Sequence, residues 1–193
     1  APEVRSRLVA AFNGGFQLQD LPGGFLTEGR TVKGLVPGQA SVVIHRDGRL
    51  DVGEWGRQVD LAPDVVSVRQ NLGLLVVDER SSIGVDANGG IILAQARVSP
   101  AGLADAQVAA GAVRAMELDI NPDWTSAVVY DAAPDGAVTG RKVMGSGGPA
   151  SLFLAPYRRD FFAVLIRPTV APGGTGTIGR PPVTATIVPP RGK

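Results

Sequence analysis

The segment Ala115-Met116-Glu117-Leu118-Asp119-Ile120-Asn121-Pro122-Asp123-Trp124 carries the side chains best suited to chemistry in this chain. Read as a strand over Ala115 to Asp119, it puts Glu117 and Asp119 on one face and Met116 and Leu118 on the other. Two carboxylates held side by side repel. One is then expected to take a raised pKa and to become available for proton transfer near neutral pH. A solvated acidic strand face has the same spacing, so the pair is a candidate and not yet a site.

Asp119, Asn121 and Asp123 also open a D-x-N-x-D pattern of the kind that begins a calcium loop. The sixth position of such a loop requires Gly and is Trp124, and the twelfth requires Glu and is Tyr130, which excludes an EF-hand. What is left near Asp119 is room for one divalent cation on oxygen ligands. No metal ligand set and no cofactor motif is assigned.

Phe12-Asn13-Gly14-Gly15-Phe16 follows the apolar run Leu8 to Ala11, and its paired glycines would let the backbone turn sharply against a ligand. An ordinary Asn-Gly turn reads the same way. Arg69-Gln70-Asn71 and Arg80-Ser81-Ser82 each set an Arg beside small or amide side chains next to a strand. Such an Arg can grip phosphate through two parallel charge-assisted bonds, or can simply sit at the surface. His45 stands before the Arg46-Asp47-Gly48 turn and is expected to be exposed, which gives a Ser-His-Asp triad poor support. There is no G-x-S-x-G elbow and no G-x-G-x-x-G. Gly145-Ser146-Gly147-Gly148 lacks the Lys-Ser/Thr of a phosphate loop.

Composition narrows the chemistry further. The 193 residues include no Cys and one His, which excludes thiol nucleophiles, disulfides, Cys zinc sites and His-rich metal sites. A net charge of +1 gives no general attraction for nucleic acid or an anionic membrane, and no apolar run approaches the ~20 residues of a membrane helix. Any catalysis must therefore rest on carboxylates, Arg and backbone groups. The chain opens Ala1-Pro2-Glu3 without an initiator Met, as a processed product would, which leaves room for an upstream signal or anchor.

The elements that must position these groups are mostly short β-branched runs punctuated by Gly, Asp-Gly and Asn-Gly. Strands are predicted over Arg7 to Phe12, Ala40 to Arg46, Arg49 to Gly53, Leu74 to Val77, Ser82 to Asp86, Ile91 to Ala96 and Ala115 to Asp119. Further strands are predicted over Ser126 to Asp131, Ala137 to Val143, Ser151 to Ala155 and Phe161 to Ile166. Hairpins are expected at Asp47-Gly48 and Asn88-Gly89. Ser99 as N-cap, Pro100 at the first turn and Gly111 at the end predict a helix over Pro100 to Ala110, with Leu103, Ala106 and Ala110 facing the sheet. Residues 168–193 read as a Pro, Gly and Thr rich tail in which Thr184 to Val188 can add an edge strand.

In order of occurrence, FNGGF, EGRTV, ASVVIHRDG, GEWGR, VRQNL, RSSIGVD, the Ser99-Pro100 helix ending in AGAVRAMELD, and RDFFAV span Leu8 to Ile166. This order resembles the phosphodiester glycosidase family, which includes the lysosomal uncovering enzyme, and its flavour is similar to exported bacterial members. Two departures stand out. An LDGGGS-like run of the family is here Leu118-Asp119-Ile120-Asn121-Pro122-Asp123, keeping the Asp and losing the glycines. The VRQNL and RSSIGVD strands are joined abruptly through Val77-Asp78-Glu79, where the family has a longer loop.

The resemblance implies an α+β domain over residues 1–167, mainly antiparallel or mixed sheet with one clear helix, placed outside the cytoplasm. It implies cleavage of a sugar-1-phosphodiester in a cell-envelope or extracellular glycan. Arg80 would clamp the phosphate, and Asp119, with Glu117 near it, would activate water or stabilise an oxocarbenium-like transition state. Asn13, Gly14, Gly15, Arg69, Asn71, Asn121 and Trp124 would bind substrate. Two other readings stay open: a non-catalytic glycan-binding module in which Trp124 stacks on a sugar, and a calcium-stabilised structural domain.

Overall fold

The computed structural model describes residues 2–15, 17–20, 23–71, 79–121, 123–145, 147–157, 159–166 and 183–188. In chain order its first elements are the helical turn α1 (Pro2–Arg5), β1 (Leu8–Asn13), β2 (Phe25–Thr27), β3 (Arg30–Lys33), β4 (Ala40–His45), β5 (Leu50–Glu54), β6 (Val65–Asn71) and β7 (Glu79–Asp86). There follow β8 (Ile91–Arg97), α2 (Pro100–Ala109), β9 (Ala112–Glu117), β10 (Ala127–Ala132), β11 (Val138–Met144), β12 (Phe161–Ile166) and β13 (Val183–Val188). The strands make three sheets, ordered β11-β10-β1-β12-β13, β3-β2-β6-β4-β5 and β8-β7-β9, with every named pair antiparallel. The molecule is thus α+β and mainly β. Among the described residues no helix is long and apolar enough to cross a membrane.

The unbroken apolar run of β12, FFAVLI, is explained by burial on both faces of its sheet. Phe162 and Val164 point into a central core with Phe12, while Phe161, Ala163 and Leu165 alternate to the opposite face and pack with Phe153. Strand β4 behaves the same way: Val42 and Ile44 enter the central core, and Val43 enters a third cluster with Trp55 and Val68. Ile83 and Val85 of β7, with Met116 and Leu118, complete the central core. All three sheets therefore close on one apolar centre.

Both predicted hairpins are present, β4 to β5 across Asp47-Gly48 and β7 to β8 across Asn88-Gly89. Gly48 and Gly89 hold φ of 80° and 79°, the left-handed region that favours Gly. Ser99 caps α2, its Oγ accepting from the Gly102 N–H at 3.2 Å, but the face α2 presents differs from expectation. Leu103 and Gln107 are buried, and Ala106 and Ala110 are exposed. The helix lies over Ser82 and Gly84, where a polar, narrow contact suits Gln107, whose Nε2 donates to Ser82 Oγ at 2.8 Å.

Other expectations are corrected. Ser151 to Ala155 holds a short 3-10 helix, Leu152–Leu154, because the Leu152 N–H closes onto the Pro149 carbonyl at 3.0 Å and Phe153 turns inward to cover the sheet. His45 is not exposed but 9% accessible, with Nδ1 2.8 Å from Asp64 Oδ2. Strands β2 and β3 were not anticipated. The strand predicted at Leu74 to Val77, and the junction at Val77-Asp78, lie outside the described residues. Within the tail, β13 pairs with β12 and forms the edge of the first sheet.

Candidate functional site

Ends of strands from all three sheets meet around Asp119. Strand β9 stops at Glu117, two residues earlier than predicted, but the ladder to β7 runs on: the Leu118 N–H donates to the Ser81 carbonyl and the Ser81 N–H to the Asp119 carbonyl, both at 2.8 Å. Leu118 fills the central core, so Asp119 is fixed where the strand leaves the sheet. Its carboxylate is 1% exposed. Oδ2 accepts from Asn13 Nδ2 at 2.8 Å, and Oδ1 accepts from the Asn121 N–H at 3.0 Å. Arg159 Nη1 lies 4.0 Å from Oδ2.

Burial raises the pKa of Asp119, and the hydrogen bonds from Asn121 and Asn13 and the charge of Arg159 only partly oppose the rise. The direction is the one expected from the sequence, but the cause is desolvation and not a neighbouring carboxylate. Glu117 instead forms an ion pair with Arg80. The Arg80 side chain is fully buried, and its Nε donates to the Val98 carbonyl at 3.0 Å. Arg80 and Glu117 thus lock β7 to β9 just before Asp119, with the guanidinium turned away from solvent.

The glycines after β1 do more than turn the chain. The Gly14 N–H donates to the Asp160 carbonyl at 3.0 Å, and Asn71 Nδ2 donates to the Gly14 carbonyl at 3.0 Å. Gly15 has φ of 106°, and a Cβ there would collide with Asn71 Nδ2 and sit 2.7 Å from the Leu118 carbonyl oxygen. Only Gly lets β1, β6 and the Asp119 segment approach this closely. Gly15→Ala is expected to lower stability by about 1–3 kcal/mol through backbone strain alone, with the collision adding to it. Urea denaturation checks this, and an unchanged midpoint would show that the close approach is dispensable.

On β6, Arg69 and Asn71 share one face and Gln70 points to the other, tying down the Gly24 and Val36 N–H groups through Oε1 at 2.8 Å each. Arg69 is fully buried, with Nε 2.6 Å from Asp160 Oδ2. Asn71 is buried, and its Oδ1 has no hydrogen-bond partner among the described residues. A cavity of about 10 Å³, bounded in part by Asn13, Ser81, Gln95 and Ser126, adjoins this cluster.

The D-x-N-x-D spacing folds as two successive turns, Asn121 N–H to Asp119 Oδ1 at 3.0 Å and Asp123 N–H to Asn121 Oδ1 at 2.9 Å. Asn121 and Asp123 are exposed while Asp119 is buried, so the three oxygens do not converge. Among the described residues no group of three or more His, Cys, Asp or Glu side chains is placed to hold a metal ion.

The same turn presents Trp124, and the Arg159 guanidinium carbon lies over its ring, 4.0 Å from the centroid. Neither Arg159 nor Asp160 was singled out from the sequence. Their signal is a charged pair placed directly before the wholly apolar β12 run, a position where polar groups sit at a strand mouth. The structure therefore brings Asn13, Gly14, Gly15, Arg69, Asn71, Asp119 and Trp124 into one cluster with these two, and sets Arg80 with Glu117 beside it. No protein-family model matches the chain, and no curated protein matches it.

Proposed function

We propose that the chain is a phosphodiester glycosidase, a hydrolase that breaks the bond between a sugar anomeric carbon and the phosphate oxygen of a cell-envelope or extracellular glycan phosphodiester. The observation that carries this reading is a buried carboxyl, Asp119, held in a fixed orientation by Asn13 and facing a cation, Arg159, where strand ends of three sheets converge. A carboxylate whose pKa is raised by burial is a stronger base than a dissolved one, so it suits abstraction of a proton from water.

In the reaction, the water oxygen bonds to the anomeric carbon and its proton passes to Asp119. The carbon–oxygen bond to phosphate breaks, and its electron pair leaves with the phosphate monoester. Because that leaving group is stable as an anion, protonating it matters less than in an ordinary glycoside. Asn71 Oδ1, buried and without a partner among the described residues, offers an acceptor to a sugar hydroxyl. Gly14 and Gly15 bring their backbone close to the same point, and Asn121 shapes the turn that holds Asp119. Arg80 and Glu117 act here as a positioning pair for the end of β9.

Incubation with a panel of α-sugar-1-phosphodiesters tests the reading. Release of free sugar and a phosphate monoester is the expected result. Saturable binding without turnover would favour a glycan-binding module, and an absence of both would remove the reading altogether.

A further inference from the structure

Among the described residues, three arginines stand in or beside the site, and they differ in what they have left to give. Arg69 is fully buried against Asp160 at 2.6 Å, and Arg80 is fully buried against Glu117. A guanidinium in either place holds strands together and shows no edge to a dissolved anion. Arg159 is 13% exposed, and among the described residues its carboxylate contact, to Asp119 Oδ2, is at 4.0 Å, beyond hydrogen-bond reach. Among the described residues its guanidinium makes no hydrogen bond.

From this contrast, and resting on the glycosidase reading above, we infer that Arg159, held over the Trp124 ring, is the residue that binds the phosphate of the substrate. A guanidinium carbon held over an aromatic ring by a cation–π contact leaves its N–H donors for another partner, and that planar fork matches two phosphate oxygens. Its place is fixed from behind. The next residue, Asp160, is anchored by its side chain to Arg69 and by its carbonyl to the Gly14 N–H at 3.0 Å. Arg159 therefore enters the site with little ordering left to do on binding.

In this assignment Arg159 neutralises the leaving phosphate and Asp119 serves the attacking water. As the bond breaks, negative charge grows on the phosphate oxygens beside a cation already in position, so the contact strengthens toward the transition state. Trp124 then contributes as the platform under the cation, one face being taken by Arg159.

The test is calorimetric titration with inorganic phosphate and with phenyl phosphate, which needs no turnover and no knowledge of the sugar. Wild type is expected to bind both saturably, and Arg159→Gln to bind about 10- to 100-fold more weakly, as loss of a charge-assisted contact predicts. Arg159→Lys, which keeps the charge and loses the fork, is expected to fall between the two. Wild-type-like binding by Arg159→Gln, or no binding by wild type, would overturn the inference. Arg159-dependent phosphate binding in a protein that hydrolyses no sugar phosphodiester would instead retain this site and dismiss the glycosidase reading.

Discussion

Asp119→Asn is expected to reduce hydrolysis of a sugar-1-phosphodiester by about 10²–10⁴-fold, the usual contribution of a positioned general base. The same substitution separates a catalytic from a structural role. The variant loses one of two accepted hydrogen bonds, from Asn13 or from the Asn121 N–H, worth about 0.5–1.5 kcal/mol. It also removes a buried negative charge, which acts in the opposite direction. At neutral pH the Tm is therefore expected to stay within about 5 °C of wild type. A large fall in Tm with activity retained would make Asp119 a structural residue.

The pH dependence follows from the raised pKa. As a base, Asp119 works only when ionised, so kcat/KM is expected to fall as pH drops through a pKa raised above that of an ordinary Asp. Stability moves the other way. The folded carboxyl binds its proton more tightly than the unfolded one, so between the two pKa values stability falls as pH rises, and above both the loss is constant. Wild type should thus gain stability relative to Asp119→Asn as the solution is acidified through that window. Activity and Tm profiles across the acidic range measure both effects, and an Asp119→Asn activity profile with the wild-type acid limb would assign that limb elsewhere.

Arg69→Met is expected to cost about 3–5 kcal/mol, the largest stability effect of any single change in the site. Arg69 is fully buried and Asp160 is 2% exposed, so the substitution leaves a carboxylate in the interior without its counter-ion. Removing the carboxylate as well should recover much of the loss, because an uncharged pair has no such penalty. Urea denaturation of Arg69→Met and of Arg69→Met/Asp160→Asn gives the comparison. A single variant within about 1 kcal/mol of wild type would mean that the pair carries little of the fold's stability. Because Asp160 follows Arg159 directly, the single variant should also weaken phosphate binding, and the double variant should restore part of it.

Much of the sheet architecture is legible in the sequence because it is written in local patterns. The Asp47-Gly48 and Asn88-Gly89 turns mark two hairpins, and the run FFAVLI marks a strand buried on both sides. Strands β2 and β3 escape such a reading. They are three and four residues long, and β2 owes its place to pairing with β6, some forty positions away. The turn between them could have been seen: Glu28 and Gly29 both have positive φ, of 49° and 73°, as a two-residue hairpin loop ending in Gly requires. Ser151 to Ala155 looks like a strand by composition but has no partner strand among the described residues, and it packs over Phe161 instead.

The site is legible in part for the same reason. Asp119 and Asn13 stand at the ends of recognisable strands, and their contact spans 106 positions without altering either local pattern. The pairing of charges is different. Glu117 and Asp119 look like a repelling pair until Arg80, 37 positions away, neutralises one of them. Which of the three described arginines is left to meet a ligand depends on partners distant in the chain, so the family resemblance points to Arg80 while tertiary packing leaves Arg159 the more accessible.

Hydrolysis of an α-sugar-1-phosphodiester in ¹⁸O-labelled water tests the central claim most directly. Attack on the anomeric carbon predicts that the label appears in the C1 hydroxyl of the released sugar and that the phosphate monoester stays unlabelled. Label in the phosphate, from cleavage of a phosphorus–oxygen bond, would contradict the account.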